Sequence, residues 1–554
     1  MNVETLLFKE IFIFPELFLG FSLVYLTLHC TFLSIQKNYP LIQSSLIYLG
    51  ILVLFFSEYL LVNDYLNVYE LSFLNNTILN DYISFLSKFF IGCLSMFCLL
   101  LMQPYILTQK INHFEYILLI LFSVLGLFLL CSANDLLTAY LAIELQSLAF
   151  YVLASFKRNS SFSVDAGIKY FILGAFSSSL FLFGSSLLYG ITGTINFSDF
   201  KSLFCHLDPT FFTNVGASTS VFEEVSLRNI CDEVASEDLS FTMQLLEITN
   251  RMGELKSDLS YLYNYLPFDV NLIKFSLMFI LISLFFKLAI APFHLWAPDV
   301  YEGAPSSSTF FFSVVPKLAI FVLLIRLFNS SFFSVMDSLR YITVIVVVLS
   351  IIVGSFGGLM QRKLKTLLVY SSISHMGYSL IAFNSGTFEG IQMLFSYLVV
   401  YSFSGLCIWS IFMVTQLKTN YFQKANKDLT DLVLLSKSNP ILAIFFSTVL
   451  LSVAGFPPMI GFLVKMSVFL VAIESFMYFV ALISILCSVI ATFYYLRLIK
   501  IFYFEKVLVG KLYYPISFDS SVLITVLFFI FLFLFINPTL LFLLSYKFSL
   551  LLSI

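Results

Sequence analysis

Residues 282–296 read ISLFFKLAIAPFHLW. The stretch sits inside an apolar run, 271–297, and about 20 apolar residues suffice for a helix to cross the hydrocarbon core. Lipid offers no partner to free backbone groups, so such a run is helical. Yet it carries Lys287 and, five residues on, Pro292. A charge at the membrane centre costs about 2.5–3.5 kcal/mol on insertion scales. A proline removes one backbone donor and frees carbonyls that then need protein or water partners. A segment that keeps both is predicted to face a protein interior or a water-filled path.

Runs of the same kind fill the chain. Reading between polar breaks predicts fourteen spans, at 11–35, 41–63, 83–107, 114–133, 135–156, 164–191, 271–297, 306–328, 342–360, 366–384, 388–416, 439–472, 474–503 and 521–544. Of 554 residues, 60% are hydrophobic and 11% charged, against about 25% charged in a typical soluble domain. This excludes a soluble enzyme, a disordered chain and a nucleic-acid binder. The runs are continuous and do not alternate, which excludes a transmembrane β-barrel. The predicted class is an all-α polytopic membrane protein. Met1–Glu10 lacks the basic region of a cleavable signal, so synthesis in the compartment of use is expected. The eight cysteines contain no C-x-x-C and read as small apolar helix residues.

Charge segregates between the loops. Those after odd-numbered spans hold Lys37, Lys110, Lys157, Arg158, Arg362, Lys363, Lys365, Lys418, Lys424, Lys427, Lys437, Arg497, Lys500, Lys506 and Lys511; those after even-numbered spans hold mostly acids, such as Asp64, Glu70, Asp81, Asp135 and Glu389. The positive-inside rule then puts both termini on the outer face. Residues 196–270 carry twelve acids and four bases. That insertion is net −8, so the remainder of a chain that is −3 overall is +5. Within it, Leu245, Ile248, Met252, Leu255, Leu259, Leu262 and Leu266 form a heptad stripe on a predicted amphipathic helix, 241–266. The helix either docks an outer-face accessory subunit or folds back on its own membrane domain. Its acid excess argues against a lipid surface.

Four charges fall deep within spans: Glu144, Lys287, Lys317 and Lys465. Lys88, Lys274, Arg326 and Glu474 lie near span ends and are expected to snorkel to the interface. Pro457–Pro458 interrupt span 12 as Pro292 interrupts span 7. Spans 4–8 and 9–13 make two blocks of five. The break falls in the fourth helix of each, and each broken helix bears a lysine. Five is odd, so the blocks are inverted, and paired broken helices in inverted repeats point to an ion pathway at the midplane. His375 takes roughly the place of Glu144 in the second block. It is either a packing residue or a proton relay. A static Glu–Lys pair fixing helix packing is the plain alternative, but it leaves two lysines over. No metal, phosphate-loop, dinucleotide or haem motif is found. The expected organisation is an N-terminal three-helix segment (1–113), a first repeat (114–328) interrupted by the insertion, a second repeat (329–503) and a C-terminal helix (504–554).

ELQSLAFYVLASF (144–156), DAGIKYFILGAFSSSLFLFGSSLLYGITGT (165–194), FKLAIAPFHLWAPDVYEGAP (286–305), KTLLVYSSISHMGY (365–378) and AGFPPMIGFLVK (454–465) resemble the subunit 2 family of respiratory NADH:ubiquinone oxidoreductase, complex I. This is one branch of the antiporter-like membrane subunits. ELQSL favours the mitochondrial form, and Lys465 stands where the subunit 4 type typically has Glu. The resemblance implies that Glu144 pairs with Lys287, that Lys317 carries protons centrally, and that Lys465 leads to the outer exit. Lys169, His294 and His375 are further candidates for the hydrated axis. It also implies a mitochondrial inner-membrane location, with other membrane-arm subunits, antiporter-like ones among them, and membrane lipids as partners. No cofactor is expected in this chain; FMN, iron–sulfur clusters and ubiquinone belong to other subunits. The insertion is far longer than the family's usual connection, so its role is not carried over. Two other functions remain: a subunit of a multi-subunit cation/proton antiporter, and a membrane-arm member that no longer pumps. The first is separated by co-purification; the second is opposed by the complete lysine set.

Overall fold

Apolar runs of membrane length become helices along the whole chain. The computed structural model describes residues 14–34, 39–65, 71–109, 111, 113–205, 270–418, 423–425, 428–433, 435–505, 513 and 516–550. The predicted helix 241–266 and the Met1–Glu10 segment lie outside the described residues. The membrane helices are α1 (Phe14–Ser34), α2 (Tyr39–Tyr65), α3 (Tyr82–Thr108), α4 (Glu115–Ser132), α5 (Leu136–Ala154), α6 (Ser161–Thr192), α7 in two pieces (Val270–Lys287 and Trp296–Gly303), and α8 (Ser306–Ser331). They continue as α9 (Phe333–Leu359), α10 (Leu364–Ser385), α11 (Phe388–Val414), α12 in two pieces (Pro440–Ala454 and Ile460–Glu474), α13 (Tyr478–Tyr503) and α14 (Phe518–Ile536).

Eleven of these are long and apolar enough to cross a membrane. The other three are the two broken helices and α10. Of the 22 residues of α10, almost all are buried, and five are serines held by carbonyls within the same helix. The last predicted span, 521–544, is corrected. At Asn537–Pro538 the chain turns, and a separate helix, Thr539–Leu550, packs back on α11, where Phe548 stacks on Phe395.

The loops test the count. If the helices alternate in direction, loops after even-numbered helices must meet on one face. They do. A short hairpin, Leu71–Phe73 with Ile78–Asn80, bridges Ala133, and Asp135 bridges Asn196. On the opposite face Lys157 bonds Gln109, Lys363 pairs with Glu302 and bridges Asp428, and Lys365 donates to the Ala304 carbonyl. These are the acidic and the basic face. On the acidic face, burial and the nearby Asp199 push the Asp135 carboxyl up to about 6.

At the centre stands α8, buried along its length. Its first turn is serine-rich because neighbouring helices need small polar partners there. Tyr105 of α3 donates to Ser306, Tyr116 of α4 to Ser307, and Ser308 to the Leu153 carbonyl of α5. Helices α1, α6, α13 and α14 lie outside, with apolar side chains such as Phe21, Phe176, Phe493 and Phe529 exposed as a bilayer or a neighbouring subunit requires.

Candidate functional site

Both broken helices satisfy the groups that the break releases, and they do so differently. In α7 the helix stops at Lys287, with Ala289 in the left-handed region at φ 57°. The Phe286 carbonyl accepts from the Trp296 indole at 3.0 Å. In α12 the first piece ends at Gly455, φ 88°, a conformation that suits glycine. The freed carbonyls of Val453 and Ala454 accept the Lys465 ammonium at 2.7 and 3.0 Å. A cation at a helix C-terminus also complements the helix dipole.

From one break to the other the buried amines are linked by polar contacts and shared cavities. Lys287 Nζ lies 3.4 Å from the Tyr151 hydroxyl. A cavity of about 30 Å³ is lined by Lys287 and Lys317 together with Ser147, Tyr170, Tyr301 and Ser372. That is room for a water, with polar partners to hold it. Lys317, 5% exposed, donates to the Tyr401 hydroxyl at 2.7 Å, with its ammonium 4.7 Å from the ring centre. The Tyr401 ring packs 5.4 Å from His375. His375 binds the Tyr397 hydroxyl through Nδ1 at 2.6 Å and lies 3.3 Å from that of Tyr495 through Nε2. A second cavity, about 20 Å³, is lined by His375, Tyr397, Tyr401, Ser404 and Lys465. The row therefore runs Lys287, cavity, Lys317, Tyr401, His375, cavity, Lys465.

Among the described residues no carboxylate lies within 4.0 Å of these three ammoniums. Glu144, on α5, is within electrostatic reach of Lys287 but not in contact with it. One Glu144 oxygen takes a 3.3 Å bond from Ser147, and the other is buried without a partner. The expected Glu144–Lys287 pair is thus open in this conformation. Lys169 stands off the row, paired with Asp299 at 2.5 Å, both more than half exposed. The reason is its helix face, since α6 turns that side outward. His294 lies in the α7 break, its Nδ1 buried without a partner, and lines neither cavity.

The tyrosines were not anticipated. Tyr397 and Tyr401 are one helical turn apart in an apolar helix. A buried tyrosine hydroxyl needs a partner, and that spacing was the available signal.

The expectation that Lys88 and Arg326 snorkel is overturned. Lys88 is 1% exposed and pairs with Glu16 of α1, with Asn80 at 3.0 Å. Arg326 pairs with Asp81 at 2.5 Å in a π-helical end of α8. Acids supplied by the N-terminal helices remove the need to reach water. Lys274 is half-buried and Glu474 is exposed at the end of its helix, as span-end positions allow.

Against known proteins, a family profile described as NADH:quinone oxidoreductase/Mrp antiporter, TM, matches residues 133–225 and 230–491. The chain is 35% identical over 542 residues to NADH-ubiquinone oxidoreductase chain 2 of Marchantia polymorpha, covering 97% of this chain and 98% of that one. It is 34% identical over 497 residues to NADH-quinone oxidoreductase subunit N of Pelagibacter ubique, covering 89% and 90%. Its fold superimposes with a TM-score of 0.70, at 23% identity, on a chain of respiratory complex I from Thermus thermophilus, covering 96% of this chain and 99% of the other.

Proposed function

The chain belongs to the NADH:quinone oxidoreductase/Mrp antiporter family, and from that premise we propose that it moves protons along the buried row Glu144, Lys287, Lys317, His375 and Lys465. It is a multi-pass membrane-arm subunit of NADH:quinone oxidoreductase, working beside the other subunits of that complex. Residues 114–328 and 329–503 act as the two repeats. Lys169 and His294, off the row, have supporting roles. Redox chemistry and its cofactors belong to other subunits. Its place in this reading is the mitochondrial inner membrane, which the match to a plant chain 2 supports. The positive-inside rule makes the acidic face the outer one.

The observation that carries this reading is the pair of water-sized cavities, one lined by Lys287 and Lys317 and the other by His375 and Lys465. Amines whose partners are hydroxyls and carbonyls can change their proton count without breaking a salt bridge. The row holds three amines, one imidazole and one carboxyl, and each proton gained or lost changes its net charge by one. Closing or opening the Glu144–Lys287 gap shifts where that charge is best held. Moving one proton against 100 mV costs about 2.3 kcal/mol, which lies within the reach of one such rearrangement.

Lys287→Met or Glu144→Gln should lower proton pumping coupled to NADH oxidation severalfold while leaving assembly intact. It is measured by acidification in sealed vesicles against subunit content. A variant that assembles and pumps at the full rate would make the pair a packing device. A cation/proton antiporter would instead purify as a small assembly without NADH oxidation.

A further inference from the structure

The N-terminal helices contain a carboxyl that nothing above uses. Glu58 of α2 is 5% exposed, and both its oxygens are buried with no hydrogen-bond partner. It points at Gly92 of α3, where any Cβ would overlap the carboxyl group. Gly92 therefore makes the space that Glu58 occupies. Cys93 lies alongside.

The surroundings settle the charge count. Among the described residues, the buried cations on the N-terminal side are Lys88, committed to Glu16, and Arg326, committed to Asp81. An ionised Glu58 would be an isolated anion in a desolvated site, which is very costly. The neutral acid is the form such a site tolerates.

The site also has a neighbour on the way out. Lys88 precedes Gly92 by four residues, one turn, or about 6 Å of rise toward the acidic face. Its partner Glu16 has a second oxygen that is buried and unpaired. Beyond them, Asn80 bonds Lys88 at the end of the hairpin. From that turn, polar groups continue through Glu16 and Asn80 to the acidic face.

We propose that Glu58 is a proton-binding site: a neutral carboxylic acid in the N-terminal helices that exchanges its proton with the acidic face. In each exchange one proton leaves the Glu58 carboxyl and one returns. The proposal does not depend on pumping through the central row.

Infrared spectra of the intact complex in membranes at neutral pH test it. The parent should show a protonated-carboxyl C=O band that is absent in Glu58→Gln and shifts on transfer to D₂O. The band should persist in Lys317→Met, which separates this site from the central row. Gly92→Ala, which displaces the carboxyl, should move the band and keeps the test open if Glu58→Gln does not assemble. Identical spectra for parent and Glu58→Gln, or for parent and Gly92→Ala, would overturn the proposal. So would a band that never shifts in D₂O.

Discussion

Two buried sets of charges lie in one bundle and are built on opposite principles. Beside the N-terminal helices, Lys88 of α3 and Arg326 of α8 each hold a carboxylate directly. In the central row, Lys287, Lys317 and Lys465 hold hydroxyls and carbonyls, with small cavities between them. A closed buried pair gains only where the geometry is good, and it penalises removal of either partner heavily. An amine held by neutral groups pays less to change its protonation. The same residue type therefore serves as a fastener in one region and as a carrier in the other. The difference lies in the partner.

The contrast breaks most visibly at Lys317. Lys317→Met should cut proton pumping by at least about tenfold, equivalent to roughly 1.4 kcal/mol or more on the rate-limiting step, while the assembled complex keeps its subunits. Full pumping would show that the row carries nothing through its centre. Lys88→Met should do the reverse. It leaves Glu16 buried and alone, and should destabilise the chain by about 3–5 kcal/mol, read as loss of assembled subunit on thermal challenge. An unchanged melting profile would mean that the closed pairs are not fasteners.

Tyr401→Phe sharpens the comparison on a smaller scale. It removes the hydroxyl that accepts from the Lys317 amine, so pumping should fall a few-fold with little loss of stability. A large stability loss would place Tyr401 with the fasteners. The smallest effect concerns the acidic face. The Asp135 carboxyl is raised in the folded state by burial first and by Asp199 second. The folded state therefore binds its proton more tightly than the unfolded chain. Stability present below the unfolded value of about 3.9 is lost as pH rises toward 6. Asp199→Asn should recover less than about 1 kcal/mol above pH 6 and nothing near pH 4. A gain that is equal at both pH values would refute the electrostatic cause.

Much of this was legible without coordinates. Membrane helices follow from run length, because lipid leaves the backbone no alternative. The breaks in α7 and α12 follow from Pro292 and Pro457–Pro458, and the deep charges from their place within the runs. The bend at Asn537–Pro538 was missed because the apolar run continues through it, and hydropathy registers composition, not direction.

Run length and composition by themselves determined an all-helical membrane bundle, two interrupted helices and the positions of charges too deep for lipid. Only the tertiary structure decided what each charge meets. Lys88 meets Glu16 across 72 residues, Lys317 meets Tyr401 across 84, and Arg326 meets Asp81 across 245. Depth in a span shows that a charge must be compensated. It does not show by which helix, because an apolar helix packs with any face that fits, and the partner is set by how fourteen such helices turn against one another.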